Sequence, residues 1–258
     1  MLVARVCQFY PNAAPSTLVN RFFKVFSQWI WPNMNANVNG CPVILKAMPS
    51  YEELPPYGFT VWDPRYNPSD KFHLMPIITP AYPQQNSTFN VTYSTRSIMI
   101  DEIKRAHDIC IDIFNNKCCW DMLFEPKNFF QKYKHFIVLI ASTTSQEQYM
   151  DWVRLVESKI RHLVSGLEKN PHISLAHVNP QGFQQTKECK NTIEETSEEQ
   201  TNGESSDSSS NNNSIKTENE MVTVYSTLWF VGIELKPNNE AIDLNLTDTI
   251  LGFKDISK

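Results

Sequence analysis

The chain holds six cysteines, six histidines and 28 acidic residues, enough side chains for metal, nucleophilic or general-base chemistry, so spacing must decide among them. Two-metal nucleotidyl transfer needs carboxylates that clamp ions about 3.5–4 Å apart. Its usual sequence form is a G-[GS] turn ahead of an alternating D-x-[DE] strand. None of the seven glycines is followed by Gly or Ser, and no D-x-D or D-x-E occurs. Asp108 and Asp112 share a helical face at i, i+4, which for like charges reads as a solvated surface. No P-loop, G-x-S-x-G or H-E-x-x-H is present. The cysteines (Cys7, Cys41, Cys110, Cys118, Cys119, Cys189) form no C-x-x-C pair and no Cys/His cluster with zinc spacing. They read as free thiols of a reducing compartment.

What remains is binding chemistry. Lys127, Lys132, Lys134 and His135 cluster around one expected strand, and Lys159, Arg161, His162 and Lys169 lie on the helix after it. Basic groups at a strand edge suit phosphate contact; the bland alternative is an ordinary solvated face. The net charge of −5 does not argue against a nucleic-acid partner once it is located. Residues 187–220 carry nine acids and three lysines, a charge of −6, which leaves +1 on the rest of the chain. That Ser/Asn/Glu/Thr tract has little to bury and is expected to be disordered. No apolar run reaches the ~18 residues of a membrane span, and Met1 begins no signal peptide.

The elements that must position these residues follow from periodicity. Leu2, Val6 and Phe9 share a helical face. Pro15 and Ser16 open a second helix, through about Trp31, with Leu18, Phe22, Val25, Phe26 and Trp29 inward. Residues 32–83 contain ten of the 16 prolines, which rules out helix and central strand. Val61, Trp62, Phe72, Leu74, Met75, Ile77 and Ile78 make the segment too apolar for a free linker. It is expected to lie extended and irregular on a helical scaffold. Ser94 or Thr95 caps a third helix to about Asn115, with Asp101 and Glu102 in its first turn. His107 is expected to be a packed histidine within it. A short helical WDMLFEP follows. Then come a strand at Lys134–Ala141, a helix at Gln146–Lys169, a strand at Ile173–Val178, the acidic tract, a strand at Tyr225–Leu235, and a helix from Asp248. Alternation sends Trp229 and Phe230 to opposite faces of the sheet. The expected class is α+β: a helical first part, then a split βαβ, ferredoxin-like part without its last strand.

Several stretches resemble one family. Val61 to Arg96, VWDPRYNPSDKFHLMPIITPAYPQQNSTFNVTYSTR, is similar to the central domain of eukaryotic poly(A) polymerase, as is the MLVARVCQFYPNA start. NFFQKYKHFIVLIA, LVESKIRHLVSGLEKN, LAHVNPQGF and LWFVGIEL resemble its RNA-binding domain. The resemblance runs in order over about three-quarters of the chain. It places a central domain at 1–122 and an RNA-binding domain at 123–258, with the insert at 187–220. It implies a nuclear, template-independent enzyme that adds AMP from ATP to mRNA 3′ ends with Mg or Mn. The metal carboxylates lie in an amino-terminal domain to which no residue here corresponds, so this chain is expected to be a fragment, to bind no cofactor itself and to be inactive alone. The resemblance further implies an RNA partner, poly(A) or an mRNA 3′ end. By placement, Met75 would pack on adenine; Thr79, Tyr82, Asn86 and Ser87 would bond sugar, phosphate or base; Lys132, Lys134 and Arg161 would hold upstream phosphates. A competing reading is a non-catalytic module that binds cleavage and polyadenylation factors.

Overall fold

A computed structural model of the chain describes residues 1–32, 40–49, 58–190, 221–237 and 244–256. The first part is built on three helices, α1 (Leu2–Phe9), α2 (Pro15–Ser27) and α3 (Tyr93–Phe114). Pro15 occupies the first turn of α2, where its fixed φ suits a helix start. The helix ends at Ser27, short of the expected Trp31, and Trp29 and Trp31 continue the apolar surface from irregular backbone. α3 also begins earlier than expected. Thr92 accepts from the Thr95 amide at 3.3 Å while the Thr95 hydroxyl accepts from the Thr92 amide at 2.8 Å. This reciprocal cap starts the helix at Tyr93, so Asp101 and Glu102 lie beyond its first turn. Asn116, at φ 54°, ends it in the left-handed conformation that asparagine tolerates.

Val6, Phe26, Trp31, Val43, Met75 and Ile77 form the core of this part, with Leu18, Phe22, Val25 and Trp29 packed around it. The proline-rich segment is fastened on top. Val43 and Ile77 bridge in parallel, and Ile78 and Asn86 bridge antiparallel. Trp62 Nε1 donates to His73 Nδ1 at 2.9 Å. Two apolar residues depart from the expected core: Phe9 and Phe72 are exposed.

Two short helices, α4 (Asp121–Phe124) and α5 (Phe129–Lys132), lead into the sheet. Then come β1 (His135–Thr143), α6 (Gln146–Glu168), β2 (Ile173–Val178), β3 (Phe183–Lys190), β4 (Met221–Leu235) and α7 (Thr247–Ile256). β4 pairs antiparallel with β1 on one side, and with β2 and β3 in succession on the other. β1 and β2 therefore run parallel, separated by β4 and joined across α6, which is the expected split βαβ. β3 is a strand that the sequence pattern does not predict. FQQTKECK is nearly all polar and alternates no apolar residues, so its pairing with β4, not burial, makes it a strand. Residues 187–190, expected within a disordered insert, are the end of that strand. Residues 191–220 of the insert lie outside the described residues.

α6 turns Val153, Val156, Ile160, Leu163, Val164 and Leu167 onto Ala141, Ala176, Trp229, Val231 and Ile233, with Phe253 of α7 alongside. One buried serine connects the two parts. Ser94, in the first turn of α3, donates its amide to Glu168 Oε1 at 2.8 Å and accepts the Ala176 amide on its hydroxyl at 3.0 Å. Removing that hydroxyl strands a buried N–H, which costs about 1–3 kcal/mol. Ser94→Ala should therefore lower the unfolding free energy by about that much in a urea titration. A loss under about 0.5 kcal/mol, the level of a neutral surface change, would show that the Ala176 amide has another acceptor.

Candidate nucleic-acid interface

The segment expected to meet a primer end is held together by its own polar groups. Asn86 is buried, and its Oδ1 accepts from the Ile77 amide at 3.0 Å and from the Thr88 amide and hydroxyl at 3.1 and 2.8 Å. This is an Asx turn that pins one strand-like run to the next. Thr79 Oγ1 accepts from the Gln85 amide at 2.9 Å, and Ser87 Oγ donates to the Ile77 carbonyl at 2.9 Å. Met75 is only 2% exposed, packed among Val6, Phe26 and Trp31. Its side chain belongs to the core and has no free face for an adenine; Asn86 likewise acts inside the fold. Tyr82 differs. It is 45% exposed, precedes a cis peptide bond to Pro83, and its hydroxyl lies 3.4 Å from the Phe59 carbonyl.

The sheet presents a second, more extended surface. On β1 the odd residues Ile137, Leu139 and Ala141 pack toward α6, so Phe136, Val138 and Ile140 point away from it. The register sets Phe136 opposite Gly232, Val138 opposite Phe230 and Ile140 opposite Leu228. Phe183 of β3 lies opposite Leu228 from the other side. Trp229 is thus core and Phe230 lies on the opposite face, as alternation predicts. α5 adds Phe129 and Phe130, and the rings interlock edge-on: Phe130 with Phe230 at 5.1 Å, Phe183 with Phe230 at 5.5 Å, and Phe129 with Phe130 at 5.4 Å. Each such pair adds about 0.5–1.5 kcal/mol beyond burial. Yet Phe130, Val138 and Ile140 remain 46%, 45% and 58% exposed.

Tyr133 closes one end of this face. Its ring lies so close over Gly232 that a β-carbon there would overlap it, so the glycine is required by close approach. The hydroxyl shares a 2.6 Å hydrogen bond with His177 Nδ1 on β2. Burial, then nearby Glu234, raises the phenol's pKa; burial, then the Lys132 ammonium, pushes the imidazole below its usual 6.5. Lys132 holds its Nζ 5.3 Å from the Tyr133 ring centroid. Lys134 is exposed immediately before β1. Arg161 is exposed on α6, which covers the opposite face of the sheet, so the fold does not gather it with the two lysines. Lys127 is already engaged, 2.9 Å from Glu102.

Comparison with known proteins decides the family. Residues 1–126 match the family model described as "Poly(A) polymerase central domain", and residues 128–258 match "Poly(A) polymerase predicted RNA binding domain". The chain is 36% identical over 258 residues to poly(A) polymerase pla1 of Schizosaccharomyces pombe, covering 92% of this chain and 44% of that protein. It is 44% identical over 186 residues to nuclear poly(A) polymerase 1 of Arabidopsis thaliana, covering 72% of this chain and 24% of that one. This chain belongs to the poly(A) polymerase family.

The chain thus spans less than half the length of these poly(A) polymerases. The aromatic face was not singled out from the sequence. Its signal was there: FFQKYKHF puts Phe129, Tyr133 and Phe136 within one turn-and-strand unit, and alternation on β4 picks out Phe230. Because burial and then the Lys132 ammonium lower the His177 pKa, its folded value lies below its unfolded value near 6.5. The unfolded chain binds the proton first, so stability falls as pH drops through about 6.5 toward the lower folded pKa. Melting temperature should therefore decline between about pH 7 and pH 5, and His177→Asn should flatten that decline. Equal slopes for the two proteins would place the pH dependence elsewhere.

Proposed function

We propose that this chain holds RNA for a polynucleotide adenylyltransferase, keeping the strand upstream of the 3′ end while nucleotide addition takes place elsewhere in the whole enzyme. The observation that carries this reading is the sheet face of exposed Phe130, Val138 and Ile140 around Phe183 and Phe230, with Lys132 and Lys134 at its margin. Rings offer any base a stacking partner worth about 1–3 kcal/mol, and ammonium groups hold the phosphates between bases. Such contacts tolerate sequence, as a homopolymer tail requires. Tyr82 is the residue of the 73–88 segment best placed to meet the primer end, because its ring is exposed. Arg161 would serve only a strand that wraps the edge of the sheet.

The reaction of the whole enzyme would be attack of a 3′-hydroxyl on the α-phosphate of ATP, with Mg or Mn at the reacting oxygens. Among the described residues, no group of three His, Cys, Asp or Glu comes together to hold a metal. Its sequence holds no G-[GS] turn and no D-x-[DE], and on that ground the chain is expected to give no product alone in an adenylation assay. A nuclear location and contact with cleavage and polyadenylation factors accompany the same reading, supported by the names of the relatives and by family membership respectively.

Filter binding to oligo(A) at several salt concentrations tests the reading. Each phosphate contact to a single strand contributes about 0.7 to the slope of log affinity against log salt. Lys132→Ala with Lys134→Ala should weaken binding and reduce that slope by about 1.4. An unchanged affinity and slope in this double variant would remove the sheet face from the function.

A further inference from the structure

Apart from the sheet face, α2 and α3 flank an open groove of about 750 Å³, within the range of small-ligand pockets. Asn20, Arg21 and Lys24 line it from α2, His107 and Phe114 from α3, and Trp120 at the start of α4. None of its lining residues is Asp or Glu. Arg21 and Lys24 make no ion pair among the described residues. The Arg21 guanidinium lies 5.4 Å from the Tyr10 ring centroid, which leaves its donors open. Two carboxylates on α3 adjoin lining residues in sequence: Asp112 is taken by Lys117 at 3.3 Å, and Asp108, beside His107, is exposed and outside the lining.

A further observation points to a ligand. Phe114 and Trp120, both in the lining, are large rings left exposed, at 82% and 41%. His107 also lines the groove, but its Nδ1 is closed off and unpaired among the described residues, so any contact with a ligand falls to the rest of its ring. Cations and flat apolar rings in one carboxylate-free groove match an anion that carries an aromatic ring.

We propose that this groove binds a nucleotide unit of single-stranded RNA. Arg21 and Lys24 hold phosphate, and Trp120 or Phe114 stacks on the base. An acidic peptide would satisfy the cations but would leave the exposed rings without function. The proposal rests on the reading that this chain holds RNA, but it uses a surface separate from β1, β4 and α5.

The test is photocrosslinking of the full chain to oligo(A) carrying 8-azidoadenosine, with peptide mapping and salt titration. Crosslinks are expected on the peptide containing Phe114 and Trp120, as well as on peptides of the sheet face. Arg21→Ala with Lys24→Ala should abolish the first set, leave the second, and lower the salt slope by about 1.4. Absence of the first crosslink, an unchanged slope, or displacement of that crosslink by poly-glutamate more readily than by unlabelled oligo(A) would overturn the groove assignment. Loss of only the sheet-face crosslinks in the Lys132/Lys134 variant would be independent of this outcome. The two assignments therefore stand or fall separately.

Discussion

A single serine hydroxyl fixes how the helices and the sheet share this chain. Ser94 stands in the first turn of α3, and its amide is bound by the carboxylate that ends α6. Its hydroxyl receives the amide of Ala176 at the outer edge of β2. A polar triangle of this kind is costly when incomplete, because each group has lost its water. It also acts as a register mark. The first turn of α3 can slide along β2 only by giving up both bonds together. α3 carries Glu102, whose carboxylate bonds Arg105 at 2.7 Å and Lys127 at 2.9 Å. The same helix therefore guides the approach of the chain to α5 and the aromatic face.

From that anchor the sheet acquires two unlike faces. One is filled by α6 and α7 with aliphatic side chains and Trp229. The other is roofed only at one end, where Tyr133 lies flat on Gly232 and bonds His177. The roof depends on a missing side chain at one position, and it leaves Val138 and Ile140 uncovered beyond its rim. A patch of exposed apolar side chains beside free ammonium groups is unusual on a surface that meets only water. It suits a partner with flat faces and a charged backbone.

The helices, the βαβ order and the identity of the family were legible because each leaves a local mark. Examples are the apolar stripe of α6, the Pro15 start of α2 and the length of the Met75–Thr88 run. The candidate contacts in that run were less legible. Asn86 and Ser87 look like ligand-binding polar residues in a string of letters. Only the fold shows their groups turned back on Ile77 and Thr88. Met75 has the chemistry to touch a base but is consumed by packing against Phe26 and Trp31. Conversely, His107 reads as a packed helical histidine, and only the fold shows it lining a groove beside Arg21 and Lys24 of α2. β3 was hidden because its pairing is long-range and its polar sequence carries no period.

The pairing of β3 with β4 extends to its last residue, where Lys190 faces Met221 across the ladder. The two ends of the intervening tract therefore emerge side by side from a finished hairpin. Closure of a loop anchored this way grows only with the logarithm of its length. Evolution could lengthen, shorten or rewrite that tract without moving a residue of the sheet. The same site is an insertion port, where a tag or a second binding module could be spliced into the chain at little cost to the fold.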